Sequence, residues 1–443
     1  MSNTVRRTNN YFDGLRVTKQ QIFLFVIIAL AYFFEQLDNN NFAFIAPAMI
    51  KSGFLTKEKI SLITSLYFLG MTLGGFLGGI LSDLFGRRKT FLYAMLIFST
   101  ASVLNGMVTD FPLFVLARVT TGFGILMLMV TSMAYISEMS PAEGRGKWQS
   151  LINTGGFCAM PAIGFISRAI IPTGPEAWRI IFFFGALGYT SFLLGLKYLK
   201  ESPRWLASKG RVSEAEKIIR ELSGIDVDLS EAVKNIPPKV NVYEQFTGML
   251  TRKYLKRTVI LLLFGTLTTV VSFACAVWIP TLASLKGFSL EQSLSIGTAY
   301  MCGAPLGLMV VSFFADKGGR KIPLTVWIFF MAMMAFIYAH INVYIATLIM
   351  AILLNATLMG MSSMQTAYIP EHYPTKMRNT AVGTINAFYR LAVSLSQLFI
   401  PVIVSGYGEK GLFIILAVML VLASIILLTF GERTGGISLE LIE

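Results

Sequence analysis

The stretch GGILSDLFGRRKT, Gly78 to Thr90, packs Asp83, Gly86, Arg87, Arg88 and Lys89 into one short loop between two long apolar runs. A degraded copy, SFFADKGGRKIP, returns at Ser312 to Pro323, again between apolar runs, with Asp316, Gly319, Arg320 and Lys321 repeating the pattern. A charged loop that recurs at matching places in two hydrophobic halves marks a duplicated membrane bundle. The chemistry of the loop suits that place. Gly86 and Gly319 allow a sharp turn. The Arg/Lys cluster stays on the cytoplasmic side of a membrane, and the Asp can sit near a helix N-terminus, where the dipole favours negative charge. Such a loop can latch two halves in one state.

Composition agrees. Of the 443 residues, 55% are hydrophobic and only 14% charged, against about 25% charged in an average soluble domain. The net charge of +13 does not point to nucleic acid, because the basic residues lie in loops between apolar runs. Cys158, Cys275 and Cys302 all fall inside apolar segments, with neither disulfide nor metal spacing. His340 and His372 are the only histidines. The absence of a nucleophile–base pair or a phosphate loop argues against an enzyme, and no metal or cofactor is expected. The polar start, Met1 to Gln20, has no cleavage-site pattern.

A spanning helix needs about 20 mostly apolar residues. Twelve such segments are predicted: 21–48, 60–82, 89–108, 111–137, 147–171, 177–197, 257–284, 293–315, 323–341, 343–367, 379–405 and 411–431. The expected fold is an all-α membrane protein, with twelve transmembrane helices in two pseudo-symmetric six-helix bundles. Residues 1–200 form the first bundle, 201–256 a cytoplasmic linker and 257–443 the second bundle. Placing both termini in the cytoplasm puts most of the 37 Lys and Arg on that side, the positive-inside pattern. In the linker, Ser213 and Glu216 read as a capping box. Ala215, Ile218, Ile219 and Leu222 give one apolar face of an amphipathic helix, and Pro237 and Pro238 lie in an extended part. Gly70, Gly74 and Gly78 form a small-residue stripe that lets another helix approach closely. Its partner is either a helix of the other half or one within the first half.

The basic loop resembles the signature loop of the major facilitator superfamily of secondary transporters. ESPRWL at Glu201, YISEMSPAEGRG at Tyr135 and YIPEHYPTKMRNTAVG at Tyr368 resemble its sugar-porter group in the broad sense. That group includes sugar carriers, animal organic-ion carriers and bacterial proton symporters for aromatic acids and nicotinate. The resemblance runs end to end and implies the major facilitator fold and alternating access. Sugar carriers resemble Q-Q-x-x-G-x-N in the seventh helix, whereas this chain has FGTLTTVVSFACAVW, Phe264 to Trp278, with no Gln or Asn. The large extracellular insert of the animal carriers is also absent. The pattern is similar to the compact bacterial metabolite symporters.

Ionisable residues at membrane depth are functional candidates, because leaving one in lipid costs about 2.5–3.5 kcal/mol on insertion scales. In FFEQLDNNNF, Glu35, Asp38 and Asn41 recur at three-residue spacing on one helix face. The resemblance makes Asp38 a proton-coupling residue, and a carboxyl partly removed from water takes up a proton more readily. The other reading is an Asp that braces the helix, and Glu35 is either structural or an outer relay. The superfamily often sets an Arg like Arg118 beside this Asp, where it tunes the carboxyl or holds the first helix through backbone carbonyls. In RNTAVGTINAFYRLAVSLSQLF, Asn386, Arg390, Ser394 and Gln397 share one face. Position 390 resembles the place where organic-anion carriers keep Arg and cation carriers keep Asp. A guanidinium binds a carboxylate through two parallel hydrogen bonds, so Arg390 points to an anionic substrate, unless Glu35 or Asp38 neutralises it. Asn41, Tyr135, Phe273, Trp278 and Tyr389 complete the expected substrate site. Asp83, Gly86, Arg87, Arg88, Glu138, Arg145, Asp316, Arg320, Glu371 and Arg378 lie at the cytoplasmic helix ends as gate residues.

The reading is a proton-coupled symporter of a small organic anion, an aromatic or other metabolite carboxylate. It is expected in a bacterial inner membrane as a monomer, driven by the proton gradient and without nucleic-acid partners. The rivals are a drug or organic-cation–proton antiporter that uses Glu35 and Asp38 to attract cations, a sugar carrier, and a transport-inactive receptor, for which the tail after about Phe430 is short.

Overall fold

The computed structural model describes residues 6–7, 11–12, 15–141, 145–230, 242–312 and 320–432. Apolar runs become helices because lipid offers no partner to backbone N–H and C=O, so each group must be paired within its own segment. The long helices are α1 (Lys19–Lys51), α2 (Lys57–Phe85), α3 (Arg87–Met107) and α4 (Phe111–Met139). The fifth span is α5 (Arg145–Phe157) and α6 (Ala159–Ile170), and the sixth is α7 (Trp178–Phe183), a 3-10 turn and α8 (Gly188–Tyr198). The linker carries α9 (Pro203–Ser208), α10 (Val212–Ser223) and α11 (Val242–Met249). There follow α12 (Arg252–Leu285), α13 (Leu290–Ser312), α14 (Lys321–His340), α15 (Tyr344–Tyr368), α16 (Thr375–Gln397) and α17 (Ile400–Phe430).

Eleven helical stretches among the described residues are long and apolar enough to cross a membrane. The twelfth, α16, is 23 residues long and falls short in apolarity because it carries the Asn386–Arg390–Ser394–Gln397 stripe. Breaks follow proline and glycine. Pro161 lacks an N–H for the Phe157 carbonyl four residues back, and α5 ends there. Pro401 likewise leaves the Gln397 carbonyl without its helical donor, and α16 ends at Gln397. Gly408, at φ +69°, breaks α17, whose first turns complete the eleventh span and whose remainder is the twelfth.

The chain divides into two compact units: Met1–Asn39, Gly70–Ala159 and Phe182–Lys239 in one, and Asn40–Leu69, Met160–Ile181 and Val240–Glu443 in the other. In the first unit the glycine stripe of α2 lies on α4, within the same half of the sequence. A Cβ on Gly70 or Gly74 would strike the Val119 or Phe123 carbonyl, and one on Gly78 would lie 2.8 Å from Met127 Cα. On the other side of α4, a Cβ on Gly124 would lie 2.8 Å from Phe98 Cβ, so α3 and α4 also approach closely. Phe91, Met95, Phe98, Phe114, Ile125 and Leu128 fill the core between them.

The linker helix α10 buries Ala215, Ile219 and Leu222, but its expected capping box does not form. Arg211 is the N-cap, without a side-chain bond, and Glu216 Oε1 instead accepts the Leu229 N–H at 3.0 Å. Arg6–Arg7 pairs in parallel with Val227–Asp228, and Thr18 Oγ1 donates to the Leu222 carbonyl at 2.6 Å. The start of the chain therefore ties the linker to α1. Pro237 and Pro238 lie outside the described residues.

The second unit repeats the glycine device: Gly303 and Gly307 of α13 press on the Ile352 and Ala356 backbone of α15. Phe44 and Pro280 close on Gly297, and Thr298 on Gly164. Large apolar side chains such as Phe76, Leu116, Val326 and Phe329 stay more than half exposed, the surface a bilayer covers.

Overpacking a close helix contact costs about 1–3 kcal/mol. Gly74→Ala should therefore lower the melting temperature of the detergent-purified protein by several degrees. Gly79→Ala, one position with nothing within 4 Å of the added carbon, should leave it unchanged. Equal melting temperatures for the two variants would contradict the close α2–α4 contact.

Candidate functional site

In the first unit, α1 brings Asp38 and α4 brings Arg118 into a buried pair. Their side chains are 0% and 1% exposed, with Arg118 Nη1 3.8 Å from Asp38 Oδ2. That separation is an ion pair but too long for a hydrogen bond. The close partner of Asp38 Oδ1 is the Ser102 hydroxyl of α3, which also lies 3.0 Å from the Phe182 carbonyl. The guanidinium sits 5.6 Å over the Phe182 ring. Gly185 makes room, since a Cβ there would strike Ser102 Oγ and lie 3.3 Å from Asp38 Oδ1. Nearby, Asn105 Nδ2 of α3 donates to Thr121 Oγ1 of α4 at 3.0 Å. Glu35 is buried one turn before Asp38. Asn41 is also buried, but it belongs to the second unit. A buried pair of this kind holds one charge against the other, and removing either leaves an uncompensated charge costing about 3–5 kcal/mol.

In the second unit, the polar face of α16 runs from exposure to burial: Asn386 is exposed, Arg390 half-buried, and Ser394 and Gln397 buried. Asn386 Nδ2 donates back to the Val382 carbonyl at 2.8 Å. The Arg390 guanidinium lies 4.8 Å over the Phe273 ring of α12, and Phe273 meets Phe68 edge-on at 5.0 Å. Gln397 Oε1 accepts the Trp278 indole N–H at 2.8 Å. Its carbonyl, orphaned by Pro401, accepts the Ser61 hydroxyl at 2.6 Å. Ser394 Oγ donates to the Ser65 carbonyl at 2.7 Å. Tyr389 points the other way and donates to the Leu261 carbonyl at 2.6 Å.

Sequence reasoning missed several partners here. Ser61, Ser65 and Ser102 carry no signal of their own, because a serine in an apolar helix is common. Gln365 of α15 is more telling. It accepts the Thr268 hydroxyl at 2.8 Å, so the amide absent from α12 is supplied to α12 by another helix.

The basic loop forms a separate charged cluster in the first unit. Arg87 grips Glu138 through Nε at 3.0 Å and Nη2 at 2.8 Å, and pairs with Asp83 at 2.8 Å. Ser202 Oγ donates to Glu138. Glu201 Oε1 accepts the backbone N–H groups of Arg87 at 2.8 Å, Arg88 at 3.1 Å and Ser202 at 2.9 Å. The motif glutamate is thus an acceptor for the orphan donors at the start of α3. Gly86, at φ +98°, lies against it, and a Cβ there would strike Glu201 Oε2. Arg88 Nη2 reaches the Leu196 carbonyl at 2.7 Å. Tyr135 is found beside this cluster, with its hydroxyl donating to the Lys200 carbonyl.

The second unit holds a reduced version, in which Arg320 pairs with Glu371 and reaches the Ala367 carbonyl at 3.2 Å. Arg378 Nε donates to the Tyr373 carbonyl at 3.3 Å. Asp316 and the Arg145 side chain lie outside the described residues.

Burial raises the pKa of Glu201 above its ordinary 4.5, partly offset by the three backbone donors and Arg87. A carboxyl raised in the folded state contributes stability below its unfolded pKa, and that contribution is lost as pH rises through the folded pKa. Glu201→Gln should therefore gain stability relative to the native chain as pH is raised from about 4.5. Melting curves at successive pH values check this, and a constant difference would contradict it.

The match to known proteins follows this geometry. The model of the Major Facilitator Superfamily matches residues 28–397 and 295–438. The chain is 29% identical over 403 residues to the inner membrane metabolite transport protein YdjE of Escherichia coli K12, covering 88% of this chain and 87% of that one. It is 24% identical over 434 residues to the niacin transporter NiaP of Acinetobacter baylyi, covering 97% and 98%. The inward open structure of the xylose transporter XylE from E. coli superposes with a TM-score of 0.76 at 21% identity, over 95% of this chain and 98% of that one, a likeness of fold. The twelve-helix architecture is the major facilitator fold, and the chain belongs to the Major Facilitator Superfamily, as a multi-pass membrane transporter of a small molecule rather than an enzyme.

Proposed function

We propose that this transporter is a proton symporter of a small organic anion, an aromatic or related metabolite carboxylate, in a bacterial inner membrane with both termini cytoplasmic. The observation that carries the reading is Arg390, half-buried on the polar face of α16 with its guanidinium held over Phe273. A guanidinium stays charged at any relevant pH and offers a carboxylate two parallel donors, and the ring beneath it suits an aromatic partner. A relative that transports niacin, itself an aromatic carboxylate, supports the class.

The Asp38–Arg118 pair is the proposed coupling element. A proton on Asp38 cancels its attraction for Arg118, and Ser102 can turn its hydroxyl to the Phe182 carbonyl that it already neighbours. Protonation and the packing of α1 on α3 and α4 thereby become linked, and the proton gradient is the energy source. A monoanion moved with one proton carries no net charge, whereas each uncompensated charge adds about 2.3 kcal/mol per 100 mV. Uptake should then follow the pH gradient and ignore membrane voltage. The bidentate Arg87–Glu138 grip and the Arg320–Glu371 pair are proposed gate contacts at the cytoplasmic helix ends.

Two variants test the reading. Asp38→Asn in proteoliposomes should abolish accumulation against a gradient while retaining carboxylate exchange. Arg390→Ala should lose the thermal stabilisation that carboxylates give the native protein, with affinity falling at least about 10-fold for a charge-assisted pair worth about 1.5–3 kcal/mol. Carboxylate stabilisation that survives Arg390→Ala would refute the anchor.

A further inference from the structure

Gln397 carries a side-chain donor that no described residue accepts from. The residue is 0% exposed. Its Nε2 has no hydrogen-bond partner among the described residues. The amide cannot relieve this by turning over. An indole N–H only donates, so the oxygen must face Trp278 and the NH2 group must point away from it. The backbone is fixed as well, because Ser61 holds the Gln397 carbonyl. A buried amide N–H without an acceptor costs about 1–3 kcal/mol, a cost that an arriving acceptor would remove.

Position fixes which acceptor. Gln397 lies seven residues beyond Arg390 on one face of α16, and each is held by a ring of α12: Arg390 by Phe273 and Gln397 by Trp278. Seven residues of helix separate the two side chains, about 10.5 Å of rise. That is the scale of one aromatic ring with a hydrogen-bonding group at each end and a hydrogen bond beyond each.

We infer that Gln397 Nε2, oriented by Trp278, is a specificity-determining donor that selects carboxylates bearing a hydrogen-bond acceptor on the ring edge opposite the carboxylate, such as a ring nitrogen. The inference rests on Arg390 as the carboxylate anchor. A site built to hydrogen-bond a substrate group rejects the analogue lacking it, because its own buried group is then left unpaired.

The test compares two ligands of equal shape, benzoate and pyridine-4-carboxylate, by thermal shift and by competition for uptake. The native protein should prefer the pyridine by about tenfold or more. Gln397→Leu should bring the ratio close to one. Gln397→Met keeps the length of the side chain without a donor, so it should likewise bring the ratio close to one. It also serves as the folded control if the leucine variant is unstable. Equal affinities in the native protein, or a preference that persists in Gln397→Leu and Gln397→Met, would overturn the inference while leaving the anion reading intact. Failure of both ligands to bind the native protein would overturn both.

Discussion

Lipid cannot hydrogen-bond, and most of this structure is an answer to that fact. Backbone groups are paired inside helices, and at one proline break another group steps in. Pro401 removes the donor for the Gln397 carbonyl, and Ser61 of α2 supplies one at 2.6 Å. Side chains obey the same demand. Asp38 has Ser102 and Arg118, and Gln365 has Thr268. Gln397 Nε2 has no such partner among the described residues, which is why it is proposed as a donor for substrate.

The two charged centres differ in how completely the protein closes them. Asp38 and Arg118 are buried together in the first unit, each within reach of the opposite charge, which suits a pair that exchanges one proton. Arg390 in the second unit is half-buried, with its guanidinium 4.8 Å over the Phe273 ring. The basic loop is a third kind of centre. Its charges are held by a bidentate contact and by helix-end N–H groups capped by Glu201, so the motif residues stabilise a turn as well as an ion pair.

The sequence was most readable where a physical demand repeats. Apolar runs of the right length showed the spans, and the duplicated loop with its Gly, Asp and Arg showed two related halves. The stripe on α16 was legible because an Arg in an apolar run has few explanations. Other features depended on neighbours that one chain cannot list. The glycine stripe of α2 showed a close approach but not that α4 makes it. The capping box at Ser213 was the right residue pair in the wrong place, since Arg211 begins α10 and Glu216 serves the Leu229 N–H. Tyr135 matched an aromatic expected near substrate, yet its hydroxyl is taken by the Lys200 carbonyl beside the basic loop. In each case the residue type gave the chemistry and tertiary packing chose the partner.

The central claim is that carboxylate and proton move together. It is tested most directly by a pH indicator sealed inside proteoliposomes of the native protein, without any imposed gradient, while an aromatic carboxylate is added outside. The account predicts acidification of the lumen, in step with carboxylate entry and unaffected by a potassium–valinomycin voltage clamp. Carboxylate entry with no proton movement, or with a rate that follows the clamped voltage, would contradict it.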